Sequence, residues 1–167
     1  MKACRRWLIC VLGVAAGCAA RHSSASTSTG PSPWSGAFRQ SQVAETGVVG
    51  PASTPRAAAY GNITLTPVES DTSGRVRVEL SVNAPVPSGT QLGWALFPSK
   101  CGAATLTMAG PQEFPTIEIS NSGAGSIRAV MWLRLDAHAT YHANVYWSSR
   151  ITDVSNVMMC ANIVRAR

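Results

Sequence analysis

The sequence predicts an all-β fold, a Greek-key antiparallel β-sandwich of about seven to eight strands. Apolar residues recur with a period of two from residue 60 onward, which places one face of each strand in a core and the other in water. Gly and Pro interrupt these segments at short intervals, and none of them has helical periodicity. Short alternating strands separated by turn residues are typical of a β-sandwich.

Four segments carry this alternating pattern, and three shorter ones complete a set of seven predicted strands. In the clearest, residues 75–82, every second residue is apolar. The predicted strands are, in order, residues 63–67, 75–82, 92–97, 116–120, 127–135, 141–147 and 157–163. Turn residues separate several of them, at Pro85–Gly89, Ala109–Pro111 and Ser122–Gly125. The folded domain is therefore predicted to cover residues 60–167.

The N-terminus has the features of an export signal. Basic residues precede an apolar run over residues 7–16, which is too short to span a bilayer. Residues 15–18, Ala-Ala-Gly-Cys, resemble the lipobox of bacterial lipoproteins. The resemblance implies that residues 1–17 are removed, that Cys18 becomes a lipidated N-terminus, and that this lipid holds the protein on a membrane of the cell envelope. Ala19, where an inner-membrane retention signal has Asp, favours the outer membrane if the source is Gram-negative; an ordinary secretory signal is the alternative.

The segment 18–59 is rich in Ser, Thr, Pro, Gly and Ala, with too little apolar surface for a core. It is predicted to be a flexible tether, with a root-mean-square reach of roughly 35 Å as a coil. Trp34 and Phe38 interrupt it. They are expected to be solvated, and docking on the domain or on an envelope partner is the alternative.

Charge and motifs argue against several functions. The formal net charge is +6, but after removal of residues 1–17 the chain keeps 11 of its 14 basic residues against 8 acidic ones, or +3. The basic residues are scattered, which argues against nucleic-acid binding. No Ser-His-Asp signature or phosphate-binding loop is present. The predicted partners are therefore a membrane, through the lipid, and an unknown envelope component.

Cysteine positions predict one disulfide. Cys4 and Cys10 leave with the signal and Cys18 takes the lipid, so Cys101 and Cys160 remain as a pair. In an oxidising compartment such a pair favours a structural disulfide. A thiolate metal or redox site is the alternative, but it normally has closer spacing or additional histidines.

Two regions resemble the copper/zinc superoxide dismutase-like β-sandwich family and its chordin-repeat-like lipoprotein relatives, over about residues 61–163. Gly93-Trp-Ala-Leu-Phe97, followed by Pro-Ser-Lys-Cys101, is similar to the segment Gly-aromatic-His-x-His and its following x-Gly-Thr-Cys. Asn144-Val-Tyr146 resembles Asn-Val-His, and Cys160-Ala-Asn-Ile163 resembles the closing Cys-x-x-Ile. The resemblance implies the sandwich fold and, independently of the cysteine count, the disulfide between Cys101 and Cys160.

At the positions that match the metal ligands of that family, this sequence has other residues. Its copper-binding histidines fall at Ala95, Phe97 and Tyr146. Alanine and phenylalanine cannot coordinate a metal, and one phenol is a poor substitute for several imidazoles. The resemblance therefore implies the fold without the activity. The leading interpretation is a non-catalytic envelope lipoprotein, without a cofactor, that serves a binding or structural role.

A different metal site is the first alternative. His138 and His142 would lie about 13 Å apart on an extended strand, too far for one ion. A turn at residues 136–139 would bring them together with Asp136 as weak candidates for a zinc site. That arrangement would make the protein a divergent metal-binding oxidoreductase or a metal carrier. Surface histidines beside a strand are the simpler interpretation.

Two exposed surfaces are further candidates. Trp94, Trp132 and Tyr146 could line a glycan-binding or peptide-binding surface, which requires their rings to form one exposed patch. Four outward arginines could form a cationic face for anionic glycans or lipid head groups; they are Arg75, Arg77, Arg128 and Arg134. Solvated strand faces that deter edge pairing explain the arginines more simply.

Overall fold

The computed structural model describes residues 32–40, 58–68, 74–103, 105–151 and 156–166. The predicted signal peptide, Cys18 and most of the predicted tether lie outside these residues. Within them, regular structure is β apart from one 3-10 turn at Pro111–Glu113, so the all-β prediction is confirmed. The described part contains no helix with the length and hydrophobicity that crossing a bilayer requires.

The described residues form nine strands. In chain order they are β1 (Trp34–Gln40), β2 (Tyr60–Pro67), β3 (Arg75–Asn83), β4 (Gln91–Leu92), β5 (Trp94–Pro98), β6 (Ile117–Glu118), β7 (Ala124–Trp132), β8 (Tyr141–Tyr146) and β9 (Val157–Arg165). Each of the seven predicted segments overlaps at least one of these strands. The predicted strand at 92–97 is divided at Gly93 into β4 and β5, and β1 was not predicted.

The strands form two antiparallel sheets. The larger has seven strands in the order β5-β8-β9-β1-β2-β3-β7, and the smaller pairs β4 with β6. The pairs β3–β7, β5–β8 and β9–β1 join strands that are not consecutive, which is the Greek-key type of connection. The small sheet links the two edges of the large one. On one side Gly93 N donates to Ser148 O at 2.7 Å, and on the other Ser120 N donates to Ala124 O at 2.8 Å.

One hydrophobic core fills the space inside the strands. In β3 every second side chain is buried, as the alternation predicted. Strands β5 and β8 differ, because nearly all of their side chains are buried on both faces. The chain that follows β5 covers them. Its Ser99 and Cys101 lie against His142 and Cys160 on the outer face, and Met108 N donates to Leu96 O at 2.8 Å along the free edge of β5.

The predicted boundary between tether and domain is wrong for residues 34–40. Strand β1 lies inside the large sheet, paired with β2 on one side and β9 on the other. Trp34 and Phe38 are 4% and 3% exposed and belong to the core, so they are not solvated tether residues. Their spacing gives β1 a two-residue period, with Gly36 between them on the inward face. The domain therefore begins before Trp34.

Candidate functional site

The residues aligned with the dismutase copper ligands lie in a closed part of the structure. The β5–β8 register places Ala95 opposite Asn144 and Phe97 opposite His142. Ala95 is fully buried, and Phe97 and Tyr146 are 8% and 2% exposed. Burial raises the pKa of Tyr146, while a hydrogen bond to Asn144 acts in the opposite direction. The phenol therefore stays protonated at neutral pH, which is the form that does not bind metals.

His142 is a core residue. Its ring stacks on Phe97 with 4.9 Å between centroids and 10° between planes. Nδ1 lies 3.3 Å from the carbonyl oxygen of Ser99, which accepts its hydrogen bond. Burial lowers the pKa of His142, and the Ser99 hydrogen bond only partly opposes that shift. The imidazole is therefore neutral at pH 7, and it serves to pack the segment after β5 onto the sheet.

The turn that a zinc site would need does form, but it does not bring the candidate ligands together. Asp136 Oδ1 accepts a hydrogen bond from His138 N at 2.8 Å, and Asp136 O accepts one from Ala139 N at 3.2 Å. His138 is exposed at this turn, whereas His142 is 1% exposed beneath Ser99. Among the described side chains no group of three or more His, Cys, Asp or Glu residues could hold a metal ion. The alternative in which Asp136, His138 and His142 converge on one ion is therefore not formed.

The disulfide prediction is confirmed. Cys101, in the segment after β5, is bonded to Cys160 in β9, with 6.1 Å between the Cα atoms. Cys101 N also donates to Asn162 Oδ1 at 2.8 Å. These two links fix the segment over β8 and β9, on the side where His142 and Phe97 are stacked. The disulfide therefore helps to close the region that a metal centre of the dismutase type would occupy.

The predicted aromatic surface is not formed. Trp94 is fully buried: its ring meets Phe114 edge-on at 4.9 Å, and its Nε1 donates to Pro115 O at 2.9 Å. Tyr146 is buried as well, and only Trp132, at 63% exposure, is on the surface. Trp94 and Tyr146 lie in strands whose two faces are both covered, so alternation does not make either face a surface. These two rings cannot take part in a binding patch.

A scan of protein-family models gives no match to this chain, and a search of curated protein sequences gives none either. The likeness to dismutase-like proteins therefore stays a prediction that rests on short motifs.

An open groove lies on the outer face of β2, β3 and β7. Its volume is about 810 Å³. The lining combines amides and hydroxyls with one aromatic ring, one carboxylate and apolar groups; it includes Tyr60, Asn62, Ser81, Asn83, Ser126, Glu118, Val82 and Ala124. Two rows form its floor across the three strands: Tyr60, Asn83 and Ala124 in one, and Asn62, Ser81 and Ser126 in the next. Of the outward groove residues on β2, β3 and β7, only Ser81 lies inside a predicted strand. The others flank the predicted segments, so the alternation did not place them and the groove was not predicted.

The geometry of the groove depends on a close contact at Gly125. A Cβ at this position would lie 2.7 Å from Ile117 Cγ2 and 2.8 Å from Glu118 O. Only glycine therefore lets β6 approach β7 closely enough to form one wall of the groove. At the floor, Ser81 Oγ donates to Asn62 Oδ1. That bond leaves the two amide N–H donors of Asn62 for other partners.

The groove ends at an ion pair. A second depression of about 370 Å³ continues along the same face to Thr64, Glu79 and Arg128. Arg128 Nε lies 2.8 Å from Glu79 Oε1, and the two side chains are opposite one another on β3 and β7. Both are well exposed, so the pair contributes little to stability. The Glu79–Arg128 pair separates the groove from a more basic part of the same face.

Proposed function

We propose that this chain is a lipid-anchored protein of the cell envelope whose β-sandwich is a non-catalytic binding domain, with the groove on β2, β3 and β7 as its ligand site. The groove is the observation that carries the proposal. Its volume lies within the range of small-ligand sites, about 300–1,000 Å³. Its lining offers hydrogen-bonding groups and an aromatic ring but no nucleophile beside a base. Such a surface can bind but has no evident means of chemistry.

The donor set at the dismutase-like positions supports a non-catalytic role. Ala95 and Phe97 have no atom that coordinates a metal, and Tyr146 is a buried, protonated phenol. The overlying segment is fixed there by the disulfide and by the contact between Ser99 and His142. An enzyme of that type would need both ligands and an open path to them.

Apart from Glu118 on the β6 wall, the polar side chains of the groove are uncharged. They favour an uncharged polar chain, and we propose a glycan. Tyr60 is 60% exposed at one end of the floor, where its ring can stack on the flat C–H face of a sugar. Asn62, Ser81 and Ser126 lie in the adjacent row and offer amide and hydroxyl groups to sugar hydroxyls. This replaces the predicted surface of Trp94, Trp132 and Tyr146 with a different one of the same ligand class.

Substituting Tyr60 tests the groove. We expect the chain from residue 19 onward, exported without its lipid, to bind an uncharged glycan on an array of soluble bacterial glycans. Tyr60→Ala should weaken that binding by up to about tenfold, since an aromatic stacking contact contributes about 0.5–1.5 kcal/mol. Titration calorimetry with the bound glycan measures the loss. Trp132→Ala is the matched control, because it removes an exposed ring outside the groove and should leave affinity unchanged. No glycan binding, or equal loss in both variants, would contradict the groove assignment.

Substituting Cys18 tests the anchor. When the full chain is expressed in a bacterium, we expect the protein in the membrane fraction and a diacylglycerol mass on the peptide that begins at Cys18. Cys18→Ser should abolish that modification and move the protein out of the membrane fraction. Cys10→Ser is the control, because it changes a cysteine within the same signal and should keep the lipid. An unmodified Cys18 in the parent chain would show an ordinary secretory signal instead.

A further inference from the structure

One end of the β2–β3–β7 face combines exposed apolar side chains with arginines. We define the Arg–Trp patch as Arg75, Arg77, Val130, Trp132 and Arg134. Trp132 is 63% exposed and Val130 49% exposed, although both belong to a strand whose inward side packs on the core. Register places Arg77 directly opposite Val130, and Arg75 directly opposite Trp132. Each of these two rows therefore pairs a basic side chain on β3 with an apolar side chain on β7.

The patch is basic beyond the ion pair that ends the groove. Glu79 is engaged by Arg128 at 2.8 Å and lies on the groove side of the patch. Beyond it, the described outward positions of β3 and β7 carry arginines and no carboxylate. Arg134 follows on the same side of the chain and is exposed. The segment 69–73, which includes Glu69 and Asp71, lies outside the described residues. An aromatic ring flanked by guanidinium groups is suited to the boundary between water and anionic lipid.

The polypeptide enters the domain at this same end. Trp34 is opposite Leu65, Leu65 opposite Val78, and Val78 opposite Ala129. The residue before Trp34 is therefore level with Arg77 and Val130, three strands from β7. At about 4.8 Å per strand, the point of entry lies about 15 Å from the patch.

Because β1 begins at Trp34, the segment after Cys18 is shorter than the sequence predicted. Residues 19–33 give fifteen residues between the predicted lipid and the sheet. A coil of that length has a reach of about 20 Å. An anchor at Cys18 would hold the point of entry, and with it the patch end of the face, near the bilayer. The glycan groove lies at the other end of the same face.

We propose that the Arg–Trp patch docks the domain on an anionic phospholipid surface, with Trp132 at the interface and Arg77 and Arg134 among the head groups. The nearness of the patch to the bilayer, inferred from the length of the tether, rests on the proposed anchor at Cys18. The attraction of the patch for anionic lipid does not depend on that anchor. Docking in this orientation directs the groove away from the membrane. The diacylglycerol on Cys18 would itself hold the protein on the membrane, and the patch would set the orientation of the domain there.

Vesicle binding by the unlipidated chain tests the proposal. The chain from residue 19 onward is sedimented with vesicles of phosphatidylcholine alone or mixed with phosphatidylglycerol. We expect binding to the anionic vesicles only, weakened by added salt. Arg77→Gln should reduce partitioning about fivefold, and Trp132→Ala up to about tenfold. Brominated acyl chains should quench tryptophan fluorescence in the parent but much less in Trp132→Phe.

Tyr60→Ala is the matched control, since it removes an exposed ring at the groove end of the same face and should leave vesicle binding intact. Exposed substitutions of this kind leave folding nearly unchanged, which circular dichroism verifies. Failure of the parent to bind anionic vesicles, or equal binding by the parent and by Arg77→Gln/Trp132→Ala, overturns the proposal and leaves a solvated strand face. Loss of lipid at Cys18 or of glycan binding would affect neither result, so the proposals fail separately.

Discussion

A chain that begins at residue 58 is expected to remain unfolded, whereas one that begins at residue 32 folds. The shorter chain lacks β1, so β2 and β9 each lose their hydrogen-bonded neighbour in the middle of the large sheet. It also lacks the buried side chains of Trp34 and Phe38. Truncating a buried Phe or Trp costs about 3–5 kcal/mol, and the two together approach the whole stability of an ordinary domain, about 5–15 kcal/mol.

The comparison is made on chains exported to an oxidising compartment, by near-ultraviolet circular dichroism and thermal unfolding. Point variants in the longer chain separate packing from strand pairing. Phe38→Ala should lower the free energy of unfolding by about 3–5 kcal/mol. Ser35→Ala, an exposed position in the same strand, should change it by less than about 0.5 kcal/mol. If the chain from residue 58 melts cooperatively at the temperature of the longer chain, β1 is not part of the fold.

Removing the disulfide should produce the second large effect. The bond closes a loop between residues separated by 59 positions. In the chain-entropy model, a loop of that length stabilises the folded state by about 4 kcal/mol. We expect the double variant Cys101→Ser/Cys160→Ser to lose that amount in urea unfolding, and its segment after β5 to become more accessible to protease.

The parent protein treated with a reducing agent is the matched control, because it loses the same bond without a change in sequence. Both proteins should unfold at the same urea concentration, below that of the oxidised parent. A shift of less than about 1 kcal/mol would mean that the hydrogen bonds and the His142–Phe97 stack hold the segment without the bond. Adding reductant to the double variant should have no effect.

Strand prediction succeeded where one face of a strand meets the core and the other meets water. Strand β3 is such a strand, and its buried and exposed residues follow the predicted alternation. The same reasoning failed for β5 and β8, because the chain after β5 covers their outer face. His142 was therefore expected at a surface, and Trp94 and Tyr146 were candidates for one, but all three are packed. When an irregular segment covers the second face of a strand, both faces become apolar and the strand's sequence no longer alternates.

Strand β1 was missed for a related reason. It lies within a segment whose composition is that of a linker, and only Trp34 and Phe38 are large apolar residues. What holds it is pairing with β2 and β9, and the second of these partners lies near the other end of the chain.

The groove was missed because alternation assigns residues to a face but does not say which residues of neighbouring strands share a row. Register supplies that, and it brought Asn62, Ser81 and Ser126 together.

The position of β1 also sets the order in which the domain can be completed. A chain that is synthesised or exported from its N-terminus presents β1 first and β9 last, yet these two strands are neighbours. Until β9 arrives, one edge of β1 is open and Cys101 has no Cys160 to bond. Open edges invite pairing with other chains, so this interval is the one in which the protein is most prone to aggregate. Chaperones that bind extended chains would act on this species, and the protein would be released from them once β9 has docked.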